Sequence, residues 1–222
     1  AHWQYAFGDD IHRKYTDPLI EEDLRNFLAV QYKDKNLTTS EMDSIVANLR
    51  NTGGQNDYYA LRNTFLLYRD GYDFAYSDGR SNPFRLEYID FEHPDHNIFR
   101  CVNQFVMEQG RENRRPDILL FINGIPVCII ELKNPTKQNA TIRDAHTQIC
   151  TRYMRDIPAL LKYCALAVIS DGAKNALGAT YTPFEFFYEW KKIENEDKAG
   201  KGLDTLRTLI RGALSLERIL EI

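Results

Sequence analysis

The sequence predicts an α/β fold, a central mixed sheet with helices on its faces, and three stretches carry that expectation. Residues 117–133 hold two apolar runs joined by Asn123-Gly124, the strongest short-range signal for a β-hairpin. Their near-continuous apolar character marks strands covered on both faces. A helical pattern from about Thr141 to Arg155, stopped by Pro158, then leads to the apolar run Tyr163 to Ser170. Such a β-α-β crossover implies parallel pairing and lays a helix over the sheet. Ahead of all this, three helical patterns crowd the region before Gly71.

The helices are read from their ends. Residues 17–34 begin with Asp17 as N-cap and Pro18 at the first helical position, and Leu24, Phe27, Leu28 and Tyr32 form one face. Thr38-x-x-Glu41 is a capping box for a second helix that ends near Asn51 and Gly53. A third runs from about Asp57 to Arg69. From Tyr72 the period changes to two, giving strands at Phe84 to Phe91 and Ile98 to Met107, separated by His93-Pro94-Asp95-His96. Those histidines lack cysteine or carboxylate partners at ligand spacing and read as loop residues. Pro126 fits a bulge or a strand start. Thr182-Pro183-Phe184-Glu185 reads as a further capping box, opening an aromatic helix to Trp190. Glu194 to Gly202 is a polar linker, and helical periodicity resumes at Leu203. The expected organisation is a helical segment over 1–71 packed on a core over 72–192, with a linker and helix over 193–222.

With 222 residues, 43% hydrophobic and 27% charged, the chain supports one sizeable core of the ordinary globular kind. No apolar run approaches the roughly 20 residues of a membrane span, and no secretory signal opens the chain. Cys101, Cys128, Cys150 and Cys164 show no CxxC spacing, which fits reduced thiols in a cytoplasmic protein. The Ala at position 1 and the open-ended amphipathic stretch Leu214 to Ile222 give the look of an excised fragment. A net charge of -4 exerts no global pull on nucleic acid. Locally, though, Arg111, Arg114, Arg115, Lys133, Lys137, Arg143, Arg152 and Arg155 surround Glu112, Asp117, Glu131 and Asp144. This is either a basic rim around an acidic centre or a solvated face.

The chemistry concentrates at the open ends of the hairpin. A buried charge costs several kcal/mol unless it is paired or bound to a metal, so Asp117, Glu131 and Lys133 need a reason to sit there. Two carboxylates holding a divalent cation beside an ammonium group supply one, the chemistry of metal-dependent phosphodiester cleavage. Asp117 and Glu131 offer hard oxygens suited to Mg²⁺, with the Leu132 carbonyl as a third ligand. Lys133 then acts as a point charge near the phosphate or the attacking water. Helix 141–155 is expected beside them, presenting Gln148, Arg152 and Tyr153 to the DNA backbone. Register sets a condition. A two-residue Asn123-Gly124 turn pairs Ile122 with Ile125 and hence Asp117 with Ile130, on the opposite face from Glu131. A shared metal therefore requires an odd-length loop, a bulge, or an Asp117 lying just before the regular strand. Spacing alone leaves a nuclease site and a structural ion cluster both open.

These residues resemble the PD-(D/E)xK nucleases, and more narrowly the N-terminal nuclease domain of the type I restriction enzyme R subunit. Leu19-Ile20-Glu21-Glu22-Asp23-Leu24-Arg25 is similar to that family's first helix, and Asn97 to Phe105 to the strand before its motif. Arg114-Arg115-Pro116-Asp117, Asn123-Gly124-Ile125-Pro126 and Ile130-Glu131-Leu132-Lys133-Asn134-Pro135 resemble its most recognisable block, and Ile157 to Leu160 with Ser170-Asp171-Gly172 continue the match. The resemblance implies a restriction-endonuclease-like α/β/α core and a type I site-specific deoxyribonuclease. Asp117, Glu131 and Lys133 would be catalytic, with Mg²⁺ as cofactor (Mn²⁺ substituting) and Glu21 or Glu22 as an upstream ligand. It implies double-stranded DNA as substrate, contacted by Gln148, Arg152, Tyr153, Arg115 and Lys137. Modification and specificity subunits and the subunit's own ATP-driven translocase domains would be its partners. No GxxxxGK[ST] phosphate loop occurs in these residues, so ATP belongs to motor domains elsewhere and cleavage by the fragment alone is expected to be weak or absent. One departure stands out. The family often carries Gln-x-x-x-Tyr on the following helix, whereas Tyr153 lies five residues after Gln148. On an ideal α-helix that separates them by about 140°, against about 40° for four. Either Arg152 replaces the aromatic or the helix is distorted. A RecB-like or resolvase-like nuclease and a non-catalytic DNA-binding or docking module remain the alternatives.

Overall fold

A computed structural model describes residues 2–134, 141–193 and 202–221. Its centre is the expected hairpin, β7 (Ile118–Ile122) and β8 (Ile125–Leu132), to which four further strands are added. On one side lie β4 (Phe99–Asn103), antiparallel to β7, and β1 (Gln4–Phe7), parallel to β4; on the other lie β9 (Leu166–Ser170), parallel to β8, and β10 (Asn175–Ala179), antiparallel to β9. Two small ribbons, β2 (Tyr72–Phe74) with β3 (Phe84–Leu86) and β5 (Met107–Gln109) with β6 (Glu112–Arg114), stand outside this mixed six-stranded sheet.

Helices cover both faces. On one pack α1 (Glu21–Gln31), α2 (Thr39–Asn51) and α3 (Asp57–Asp70), with Leu24, Phe27, Ile45, Leu49 and Tyr68 meeting Leu120, Ile122, Cys128 and Ile130. On the other lies a continuous helix made of α4 (Ile142–Thr147), a π-helical stretch Gln148–Tyr153 and α5 (Met154–Asp156), followed by α6 (Pro158–Leu161). Its Ala145, Ile149 and Tyr153 pack on Leu119, Phe121, Ile129 and Ile169. The Thr38/Glu41 box forms as expected, and Thr141 with Asp144 makes a second one. The C-terminal α7 (Leu203–Gly212) and α8 (Leu216–Glu221) fold back onto the first face through Leu209, Leu214 and Ile219. Among the described residues no helix is long and apolar enough to cross a membrane.

Several expectations give way. The segment over 1–71 is not purely helical, because β1 belongs to the sheet; as an exposed edge strand of four residues it carries no alternation to read. The strands expected over Phe84 to Phe91 and Ile98 to Met107 shrink to β3 and β4, and α1 starts at Glu21 rather than near Pro18. Asp17 instead accepts the Leu19 amide and pairs with Arg50. The helix expected from Thr182 to Trp190 does not form. Only a 3₁₀ turn, Phe184–Phe186, forms, after which Tyr188 bridges to Leu177 and extends the sheet. Phe187 there covers Gly178, where a Cβ would lie 2.6 Å from the ring. The expected linker over 194–202 falls, but for Gly202, outside the described residues.

Candidate metal and phosphodiester site

Two register events decide which way the acidic side chains point. Asn123 and Gly124 both have positive φ (50° and 76°), so the turn is a two-residue one and pairs Ile122 with Ile125. Gly124 is obligatory here, since a Cβ would lie 2.1 Å from the Ile20 carbonyl oxygen. Farther along, Leu120 pairs with Cys128 but Phe121 with Pro126, leaving Val127 as the extra residue of a β-bulge. Val127 and Cys128 accordingly both face the layer formed by α1–α3. Beyond the bulge the parity is reversed and Ile118 pairs with Ile130. Extending that register by one residue sets Asp117 opposite Glu131, on the face of Leu119 and Ile129. Of the three permitted solutions, the bulge is the one used, and Asp117 also sits just before β7.

Every group around the pair is tethered. Asp117 Oδ2 accepts the Leu132 amide at 2.9 Å and Oδ1 accepts Gln104 Nε2 at 3.1 Å. Glu131 is 2% exposed and lies beneath the π-helical stretch. Its Oε1 accepts Lys133 Nζ at 3.0 Å and also Gln148 Nε2, while Oε2 accepts the Tyr153 hydroxyl at 3.3 Å. Lys133 Nζ also donates to Gln148 Oε1 at 2.5 Å. Burial, and then the neighbouring Asp117 charge, push the Glu131 carboxyl up to about 7, against the pull of Lys133 and Tyr153. A buried carboxyl raised by desolvation and a like charge is a candidate functional group, one whose ionised form a bound cation would stabilise. The donor set fits a hard divalent ion: two carboxylate oxygens on adjacent strands, with the Leu132 peptide beside them. Asp117 and Lys133 open into a shallow cavity of about 420 Å³ shared with Tyr5, Asn103 and Gln104.

The π-helical stretch resolves the Gln148–Tyr153 spacing. An i→i+5 closure accommodates one extra residue per turn, so residues five apart share a face and Gln148 Nε2 lies 2.6 Å from the Tyr153 hydroxyl. The helix is the distorted element, and Arg152 does not take the aromatic's place; it is exposed. Tyr153, expected towards DNA, is 3% exposed and turned onto Glu131, and Gln148 likewise serves the carboxylate and Lys133.

Glu21 and Glu22 are not brought to this centre. The amide of Ile20 bonds the Gly124 carbonyl at 2.9 Å, fixing the start of α1 at the turn end of the hairpin. Seven residues of extended chain separate Gly124 from Glu131, about 20 Å. Glu21 pairs with Arg25 and Arg50, and Glu22 lines a separate cavity with His12 and Arg13. The basic residues also divide. Arg114 and Arg155 both bond Asp156, Arg143 lies over the Phe184 ring, Arg115 and Arg152 are exposed, and Lys137 lies outside the described residues.

Sequence reasoning passed over two features. Gln104 has φ 56°, rare for a residue with a side chain. Its amide bonds the Asp117 carbonyl at 2.9 Å while its side chain holds the carboxylate; its only signal in the chain was its place just ahead of the hairpin. The histidines of the His93–His96 loop do have a carboxylate partner, Asp90, three residues before His93, so their reading as loop residues without a ligand partner is corrected.

Comparison with known proteins points one way. A family model described as the type I restriction enzyme R protein N terminus matches residues 1–186. The HindI endonuclease subunit, a type I restriction enzyme subunit of Haemophilus influenzae, is 31% identical over 99% of the chain, which spans 22% of that protein's length. The EcoprrI endonuclease subunit of Escherichia coli is 32% identical over 56% of the chain and 40% of its own length. The SsaAORF53P endonuclease subunit of Staphylococcus saprophyticus is 26% identical over 78% and 18%, respectively.

Proposed function

The chain belongs to the type I restriction enzyme R protein N-terminal family, and on that premise we propose that it is a Mg²⁺-dependent endonuclease domain that cleaves double-stranded DNA within a restriction assembly. One observation carries the reading: the bulge at Val127 turns Glu131 onto the face of Asp117, with Lys133 bonded to Glu131.

Asp117, Glu131 and the Leu132 carbonyl would hold Mg²⁺, or Mn²⁺ in its place, and the ion supplies charge neutralisation and water activation at the phosphate. Glu131 gives up its proton to take part, so ion uptake strengthens as pH rises through about 7. Gln104 and the Leu132 amide fix the Asp117 carboxylate, each of whose oxygens keeps acceptor capacity beyond that bond. Tyr153 and Gln148 fix Glu131 and, through Gln148 Oε1, aim the Lys133 ammonium. Lys133 stabilises charge on the scissile phosphate or orients the attacking water. Arg115 and Arg152, both exposed, are the described candidates for backbone phosphates.

In this reading ATP acts at translocase domains of the same subunit, and modification and specificity subunits complete a cytoplasmic complex. The test is the reconstituted complex carrying Lys133→Ala. Cleavage should disappear while DNA binding and ATP hydrolysis persist; a variant that still cuts contradicts the role given to Lys133, and a complex that no longer binds DNA points to docking instead.

A further inference from the structure

A second constellation of ligand atoms lies at the other end of the sheet, in the loop between β3 and β4. Among the described residues, Asp90, His93 and His96 bring one ligand atom each within 4.8 Å of one another. Asp90 is 5% exposed and rigidly placed. Its Oδ1 accepts the amides of Glu92 and His93 at 3.1 and 2.8 Å, and Oδ2 accepts Gln31 Nε2 at 3.1 Å. Its backbone is locked by Asn97, whose side chain accepts the Asp90 amide at 2.9 Å and donates to the Asp90 carbonyl at 2.7 Å. Onto this fixed carboxylate both imidazoles direct Nδ1, His96 at 2.8 Å from Oδ2 and His93 at 3.4 Å from Oδ1. The two rings stack with centroids 4.9 Å apart and an interplanar angle of 20°. Ligand atoms about 2.1 Å from a tetrahedral ion are about 3.4 Å apart, so only small ring movements are needed.

We infer that Asp90, His93 and His96 form a transition-metal site of the zinc class, separate from the Asp117–Glu131 centre and independent of the nuclease reading. Two imidazole nitrogens and one carboxylate oxygen select a borderline ion such as Zn²⁺ or Co²⁺ over Mg²⁺. The rings are more than half exposed, so the ion enters directly from solvent and keeps water in its remaining positions. Donors from Gln31 and the loop amides orient the carboxylate, as the outer partners of metal ligands do. The ion takes the place of the direct contact between His96 Nδ1 and Asp90 Oδ2. Its effect is to staple together three elements: α1 through Gln31, the β7–β8 turn through Asn97 and Asn123, and α8, which packs on Pro94–His96.

The test uses the tag-free chain and two probes, Co²⁺ followed by its visible absorption and Zn²⁺ followed by calorimetry and thermal unfolding. One equivalent should bind, raise the unfolding temperature, and persist in Asp117→Ala/Glu131→Ala. His93→Gln and His96→Gln, at exposed ring positions, should weaken binding roughly tenfold or more and abolish the thermal shift. Asp90→Asn should do the same, which separates a three-ligand site from a pair of surface histidines. Absence of saturable uptake, or uptake indifferent to His93→Gln and His96→Gln, overturns the inference.

Discussion

The two ends of the β7–β8 hairpin bury polar side chains for opposite purposes. At the turn, Asn123 is fully buried and neutral, and every contact is a matched one: it donates to Tyr88 O and Asn97 Oδ1 and accepts from the Ile98 amide, at 2.9, 2.7 and 2.7 Å. At the open end, Glu131 is equally enclosed but faces a like charge, so its hydrogen bonds leave an electrostatic deficit. A satisfied buried amide stabilises a fold, whereas a buried carboxyl beside a like charge is destabilised in its ionised form, and under the proposed reading a shared cation would offset that cost. The same two strands carry both, and the one-residue bulge between them permits it.

Breaking the open end should cost activity and leave the fold. Asp117→Ala or Glu131→Ala in the assembled enzyme should lower DNA cleavage by at least about 10³-fold, while urea unfolding stays cooperative; full cutting by either variant removes the site. Breaking the turn should do the reverse. Asn123→Ala removes the hydrogen bonds to Tyr88 O, Asn97 Oδ1 and the Ile98 amide and should lower unfolding free energy by roughly 2–4 kcal/mol, read by urea denaturation, with Mg²⁺ uptake intact wherever the protein remains folded.

A subtler contrast lies in pH. Because the Glu131 carboxyl is raised from 4.5 to about 7, the metal-free folded state holds a proton that the unfolded chain has already released. Stability should therefore fall as pH rises from about 4.5 to about 7, by at most about 3 kcal/mol. Glu131→Gln in chelator at pH 8 should be more stable than the parent by roughly 1–2 kcal/mol, whereas Asn123 contributes no such dependence. A Glu131→Gln variant less stable than the parent at that pH would show that its ion pair outweighs its burial. The smallest effect is expected at Gln104. Gln104→Gly should relieve the left-handed backbone, gaining about 0.5–1 kcal/mol of stability, yet loosen Asp117 and weaken Mg²⁺ several-fold.

The open end, with its candidate site, was the more legible in the sequence, because acids at the ends of apolar strands violate the rule that such strands are uncharged. Parity arithmetic on Asn123-Gly124 required, for a shared metal, an odd-length loop, a bulge or an Asp117 just before the strand, and the structure has the bulge at Val127 and an Asp117 just before β7. The Thr38/Glu41 capping box located α2 for the same local reason, whereas the Thr141/Asp144 box that starts α4 was not read from the sequence. What escaped depends on distant chain. Glu21 and Glu22 look like ligands until the Ile20–Gly124 bond fixes α1 at the wrong end. The Thr182 capping box fails because pairing with Leu177 and cover of Gly178 outweigh one cap. Tyr153 faces inward only because the helix takes a π turn, which no propensity scale encodes.

The sharpest single measurement is a carbon-13 carboxyl titration of Glu131 by NMR, with and without Mg²⁺. Without the ion its midpoint should fall near pH 7, and saturating Mg²⁺ should drive it well below the ordinary carboxylate value. A Glu131 that titrates near 4.5 and ignores Mg²⁺ would mean that the two acids do not share a cation.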